Sequence, residues 1–136
     1  MYPKSHSSEF TRYCIILIIK MPDLLKSDYC RRLKGSLIGS NRQKHLIVER
    51  GILPRLISLL GNSESQSELQ VAIAQTLGSV AKGMETHLKA LIDCGVVPVL
   101  LNGLLRSNNK KLTEASLCCL KTIFVHPEVN TMQLKI

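Results

Sequence analysis

Two stretches of the chain share one hydrophobic rhythm. Glu49–Leu60 reads ERGILPRLISLL and Asp93–Leu105 reads DCGVVPVLLNGLL, each setting a glycine and then a proline inside an otherwise helical pattern. Gly51 and Gly95 are 44 positions apart, as are Pro54 and Pro98, and Gly39 and Gly83. Between these anchors the apolar positions correspond: Ile47 with Leu91, Val48 with Ile92, Leu53 with Val97, Leu56 with Leu100 and Leu60 with Leu104. Glu49 and Asp93 hold the same place before the glycine. Downstream the offset becomes 43, pairing Ala72 with Ala115, Leu77 with Leu120 and Val80 with Ile123; upstream Leu33 pairs with Leu77 at 44. One residue is lost in the intervening loop, where such losses are tolerated. A register held this long is an internal repeat.

Each unit predicts three helices, with spans near 41–50, 53–60 and 67–82, then 85–94, 97–105 and 111–124. Ser40 is the expected N-cap of the first, with Gln43 three residues on completing a capping box. Gly51 stops that helix because glycine accepts the left-handed conformation of a helix end. Pro54 opens the next in its first turn, where a missing N–H costs nothing. The second helix should stop at Gly61-Asn62, and Ser65 with Glu68 marks another capping box before the third, whose Ala72, Leu77 and Val80 share a face. Gly-x-x-Pro is thus a corner between two helices. Such units complete their cores only by stacking.

Composition sharpens this picture. The 136 residues are 45% hydrophobic and 4% aromatic, without tryptophan, so the core must be built from Leu, Ile, Val and Ala. That composition suits one folded domain, or part of a larger one, rather than a disordered chain. The run YCIILII, Tyr13–Ile19, is the most apolar. It is far shorter than the roughly 20 residues that span a membrane, no signal-peptide cleavage site follows, and it reads as a buried strand or helix turn. Cys14, Cys30, Cys94, Cys118 and Cys119 lack C-x-x-C spacing and read as reduced core thiols in a cytosolic or nuclear protein. His6, His45, His87 and His126 are scattered, with His45 and His87 read as surface residues; no metal-ligand pattern, nucleophile elbow or phosphate loop occurs. No catalysis, metal, cofactor or small-molecule substrate is expected.

The net charge of +8 is uneven. Residues 1–55 carry eleven Lys and Arg against four acids, the remainder seven against six. The bland reading is a solvated face; the functional one is a landing surface for an acidic partner, centred on Arg31, Arg32, Lys34, Arg42 and Lys44. Nucleic acid is disfavoured, because stacking aromatics are not interleaved with the basic residues.

A short helix, a Gly-x-x-Pro corner, a second helix and a longer third one, repeating at just over 40 residues, resembles the armadillo repeat. LKGSLIGSNRQKHLIVERGILPRLISLL, LGSVAKGMETHLKALIDCGVVPVLLNGLL and EASLCCLKTIF are similar to the first repeats of the armadillo subunits of CTLH/GID-type ubiquitin ligases. The resemblance implies an all-α, armadillo-type right-handed α-solenoid over residues 31–126. It would comprise a partial repeat 31–38 and repeats 39–82 and 83–126, with residues 1–30 and 127–136 outside the pattern. Members are several times longer, so the chain is expected to correspond to their first repeats.

The resemblance also implies a function: a non-catalytic protein–protein scaffold of a ubiquitin ligase acting in proteasomal degradation, cytoplasmic and nuclear, with protein partners and no nucleic acid or membrane. The alternative is an importin-like or catenin-like peptide adaptor. Third helices line a peptide groove in this family, and importin-type members grip basic signals with Trp and Asn flanking the third-helix leucine. Those positions fall here on Gln75 and Ser79 around Leu77, and on Cys118 and Thr122 around Leu120. Neither pair keeps Trp or Asn, and a basic groove would repel a Lys-rich ligand. With about two repeats the solenoid is expected to be marginally stable alone, leaving Leu117, Ile123 and Phe124 uncovered at its end.

Overall fold

A computed structural model of the chain describes residues 23–62, 67–106 and 108–126. Among these residues seven helices follow one another: α1 (Asp23–Leu37), α2 (Asn41–Glu49), α3 (Leu53–Gly61), α4 (Ser67–Ala81), α5 (Glu85–Asp93), α6 (Val96–Arg106) and α7 (Lys110–Phe124). Among the described residues there is no strand. The Tyr13–Ile19 run, Cys14, His6, the Ser65 cap and the tail from Pro127 lie outside them.

The two repeated corners form for the reasons their residues supply. Ser40 Oγ accepts the Gln43 N–H at 3.1 Å, capping α2. At its other end Gly51 takes φ 71°, and Gly95 ends α5 at φ 84°. Gly51 N–H donates to Val48 O and Ile52 N–H to Ile47 O, both at 3.2 Å, which satisfies two carbonyls the helix end would orphan. Gly95 N–H repeats the first of these bonds, to Ile92 O at 3.0 Å. Pro54 then sits in the first turn of α3. Asn109 caps α7 through its Oδ1, which accepts the Leu112 N–H at 3.2 Å.

Gly83, the repeat partner of Gly39, is glycine for a different reason. Gly39 has φ 70°, whereas a Cβ built on Gly83 would run into His87 Nδ1 and come within 2.9 Å of Lys44 Cδ.

Equivalent helices stack on one another. The third helices form one row, α1 on α4 and α4 on α7, and these are the most extensive packings in the chain; α3 stacks on α6 and α2 on α5. The core runs continuously through the stack, with Leu33, Leu37, Ile47, Leu56, Ile73, Leu77, Leu88 and Leu91 all fully enclosed. An α-solenoid results.

Helix α1 packs on α4 through one apolar stripe, Cys30, Leu33 and Leu37, all fully buried. Two expectations are corrected. Ile123 is not uncovered: it is fully buried on the stripe of Leu112, Ala115, Cys119 and Leu120, while Leu117 and Phe124 do stand 52% and 44% exposed. His87, read as a surface residue, is 1% exposed.

Candidate functional site

The row of third helices lines a groove of about 750 Å³. Gln75, Ser79, Cys118 and Thr122 all line it, brought to one face by their shared register on α4 and α7. Ser79 and Thr122 repeat each other's geometry. The Ser79 hydroxyl donates to Gln75 O at 3.3 Å and the Thr122 hydroxyl to Cys118 O at 2.9 Å. Each hydroxyl proton is thereby committed to its own helix, leaving oxygen lone pairs for another donor.

Only part of the basic cluster joins them. Lys34 of α1 and Lys44 of α2 line the same groove, and Lys34 Nζ donates to Gln75 Oε1 at 3.4 Å. Arg31, Arg32 and Arg42 are exposed outside its lining. Arg31 is engaged with Asp28 at 2.9 Å and with Glu68 of α4 at 3.5 Å, and the Arg32 guanidinium lies 5.3 Å over the Tyr29 ring.

Lys44 differs from the other cations in being 6% exposed. One repeat later its place is taken by Leu88, a fully buried core residue. The Lys44 stem thus fills a core-facing position, passing beside Gly83, while the side chain reaches the groove wall. Sequence inspection placed Lys44 on an exposed patch; its pairing with Leu88 was the signal that it packs inward.

Two further lysines line the groove, Lys82 just past the end of α4 and Lys111 in the first turn of α7, against a single carboxylate among the described residues, Glu114. Ile38, Val71, Ala74 and Ala115 supply its apolar lining. A second cavity of about 620 Å³, between the second-helix ends and the α7 start, is lined by Gln70, Asn102 and Asn108 among others, and by no charged residue among the described ones.

Burial governs the remaining titratable groups whose pKa is shifted. Burial pushes the Cys119 thiol up to about 12, with Cys118 adding to the shift, and burial, then Asp93, raises that of Cys94. Cys30 is buried with its Sγ 3.4 Å from Thr76 Oγ1, whereas Cys118 is exposed in the groove rather than in the core. His87 Nδ1 accepts the Met84 N–H at 3.0 Å, so it caps α5. Burial lowers its pKa, with His45 and Lys44 adding repulsion. Among the described residues no three His, Cys, Asp or Glu groups converge as a metal site, and no helix is long and apolar enough to cross a membrane.

No family model matches the chain. Among curated proteins it is 45% identical over 95 residues to armadillo repeat-containing protein 8 of Mus musculus, covering 70% of this chain and 14% of that protein. The Danio rerio counterpart is 43% identical over 102 residues, 75% of this chain and 15% of that one. The chain belongs to the armadillo-repeat family. It spans only a small part of the length of these relatives.

Two further armadillo comparisons bear on the groove. Importin subunit alpha-3 of Arabidopsis thaliana is 34% identical over 102 residues, 75% of this chain and 19% of that protein. A designed armadillo repeat protein matches the fold with a TM-score of 0.70 at 19% identity, over 81% of this chain and 45% of that one. A further engineered protein gives a TM-score of 0.79 at 25% identity, over 88% and 47%. Among the described residues the groove of this chain is lined by four lysines and one acid.

Proposed function

We propose that this chain is a non-catalytic protein-binding scaffold, serving as a subunit or adaptor of a CTLH/GID-type ubiquitin ligase in proteasomal degradation, in the cytoplasm and nucleus. The observation that carries the reading is the convergence of Gln75, Ser79, Cys118 and Thr122 with Lys34 and Lys44 on one groove. The 45% identity to armadillo repeat-containing protein 8 supports the ligase assignment. In this reading the working unit is the partial repeat 31–38 with repeats 39–82 and 83–126, the groove binds a protein segment, and Arg31, Arg32 and Arg42 act at its rim on association rate.

The test is affinity purification of the tagged chain followed by quantification of the ligase subunits. Gln75→Trp with Thr122→Trp should reduce their recovery severalfold by filling the groove. If no ligase subunit is recovered with the unmutated chain, the ligase reading is wrong.

A further inference from the structure

The groove's charge identifies its occupant more closely than its shape does. Lys34 of α1, Lys44 of α2, Lys82 just past the end of α4 and Lys111 of α7 line one groove, whose described lining holds a single carboxylate, Glu114. Among the described residues none of these lysines is engaged in a salt bridge. Four like charges facing a shared groove repel one another, and a ligand carrying carboxylates relieves that repulsion. Lys44 is the best prepared of the four: its stem is packed in the core, so little side-chain freedom remains to be lost on binding.

The remaining lining fits a peptide backbone. Ser79 and Thr122 have given their hydroxyl protons to helix carbonyls and present acceptors, while the Gln75 amide can both donate and accept. Ile38 and Val71 offer apolar surface for side-chain stems. Among the described residues no aromatic ring lines the groove, so they offer none of the stacking platform that single-stranded nucleic acid uses.

We propose that this groove binds an extended acidic peptide, its Asp and Glu carboxylates reaching Lys34, Lys44, Lys82 and Lys111; this rests on the reading of the groove as the protein-binding surface. Packed helices lie about 8–10 Å apart, so α1 to α7 spans about 16–20 Å. At about 3.3 Å per residue that holds five or six extended residues.

The test uses the full chain and a fluorescein-labelled peptide of about twelve residues, roughly twice the span, alternating Asp or Glu with Ser. Fluorescence anisotropy should show binding that weakens as salt rises to about 0.15 M, and none for the Lys counterpart of the peptide. Lys82→Glu with Lys111→Glu should weaken binding at least about tenfold. Arg50→Glu with Arg55→Glu, an equal charge change at exposed positions outside the groove, should alter it less than about twofold. Circular dichroism establishes that both double variants remain folded.

Equal loss from both pairs means that net charge alone attracts the peptide, and overturns the proposal. So does an oligothymidylate that binds as tightly and is equally sensitive to Lys82 and Lys111. Recovery of ligase subunits separates the two levels of inference. If Gln75→Trp with Thr122→Trp abolishes recovery but Lys82→Glu with Lys111→Glu does not, the groove reading stands and the acidic occupant is refuted. If neither pair matters, the groove itself is not the contact.

Discussion

His87 gives a stability prediction whose sign and ceiling follow from its surroundings. The ring is 1% exposed and Nδ1 accepts the Met84 N–H, so the neutral tautomer carries its hydrogen on Nε2, which is buried without a hydrogen-bond partner. Protonation would set two donors against each other at Nδ1. It would also place a second positive charge near Lys44, and the exposed His45 ring lies only 6.2 Å away. Burial, then His45, then Lys44 lower the folded-state pKa below 6.5. Between that value and 6.5 the unfolded chain binds the proton that the folded chain refuses, so stability is full above 6.5 and falls as pH falls. If His87 stays neutral throughout, going from about pH 7.5 to 5.5 costs at most about 1.4 kcal/mol. That corresponds to a urea midpoint lower by about 0.5–1 M. The matching substitution is His87→Gln, because Gln43 holds the same position one repeat earlier. Its amide can accept from Met84 N–H without titrating, so the midpoint should become flat over this range. Urea melts followed at 222 nm for both proteins at both pH values decide it. An undiminished shift in His87→Gln would refute the assignment, and a wild-type midpoint that rises on acidification would refute its sign.

Other substitutions test the corners and the stack. Gly51→Ala and Gly95→Ala force a side chain into φ 71° and 84° and should each cost about 1 kcal/mol or more in chemical denaturation. Gly83→Ala should cost more than Gly35→Ala, since a Cβ at Gly83 meets His87 and Lys44 while one at Gly35 meets nothing. Leu77→Ala empties a fully buried position in the central third helix and should cost about 2–5 kcal/mol by the same assay. Lys44→Leu should hold or raise stability, as Leu88 occupies the equivalent site, while weakening the binding of an acidic peptide. Leu117→Ser with Phe124→Ser should reduce concentration-dependent association in sedimentation, because both side chains stand exposed.

The architecture was legible because each boundary carried its own local cause. Six helices begin and end within a residue of the spans read from glycine, proline, capping serine and apolar period. The groove residues were legible for the same reason: once the register is fixed, Gln75 and Cys118 must face the same way, as must Ser79 and Thr122. What sequence proximity misled was the basic cluster. Arg31, Arg32, Lys34, Arg42 and Lys44 are close along the chain, yet Lys34 and Lys44 turn to the groove while Arg31 reaches Glu68 on α4. Lys82 and Lys111, distant in sequence, complete the charge that the fold assembles. His87 was missed because its capping partner is Met84, whose side chain gives no N-cap signal; only its alignment with Gln43 pointed to the role.

The same register explains what sets the end of the described stack apart from its middle. Leu117 and Phe124 on α7 correspond to Ala74 and Ala81 on α4, and these in turn to Cys30 and Leu37 on α1. Cys30, Leu37, Ala74 and Ala81 are no more than 2% exposed, because each lies under the third helix of the following repeat. Leu117 and Phe124 have no described helix over them, and their exposure follows from position rather than from any change in the pattern. A third helix therefore presents three faces: one to the core, one to the groove, and one to the repeat that comes next. On α4 all three are defined within the described chain, whereas on α7 the third is bare apolar surface. Covering that face with further repeats would stabilise the chain by burial. The proposed groove binding does not require it, since the described lining comes from α1, α2, α4, α7 and the turns that follow α1 and α4. On the proposed reading recognition falls to groove lysines such as Lys82 and Lys111 and stability to packed residues such as Leu77, so charge reversal at the first two should leave folding intact while substitution at Leu77 should not.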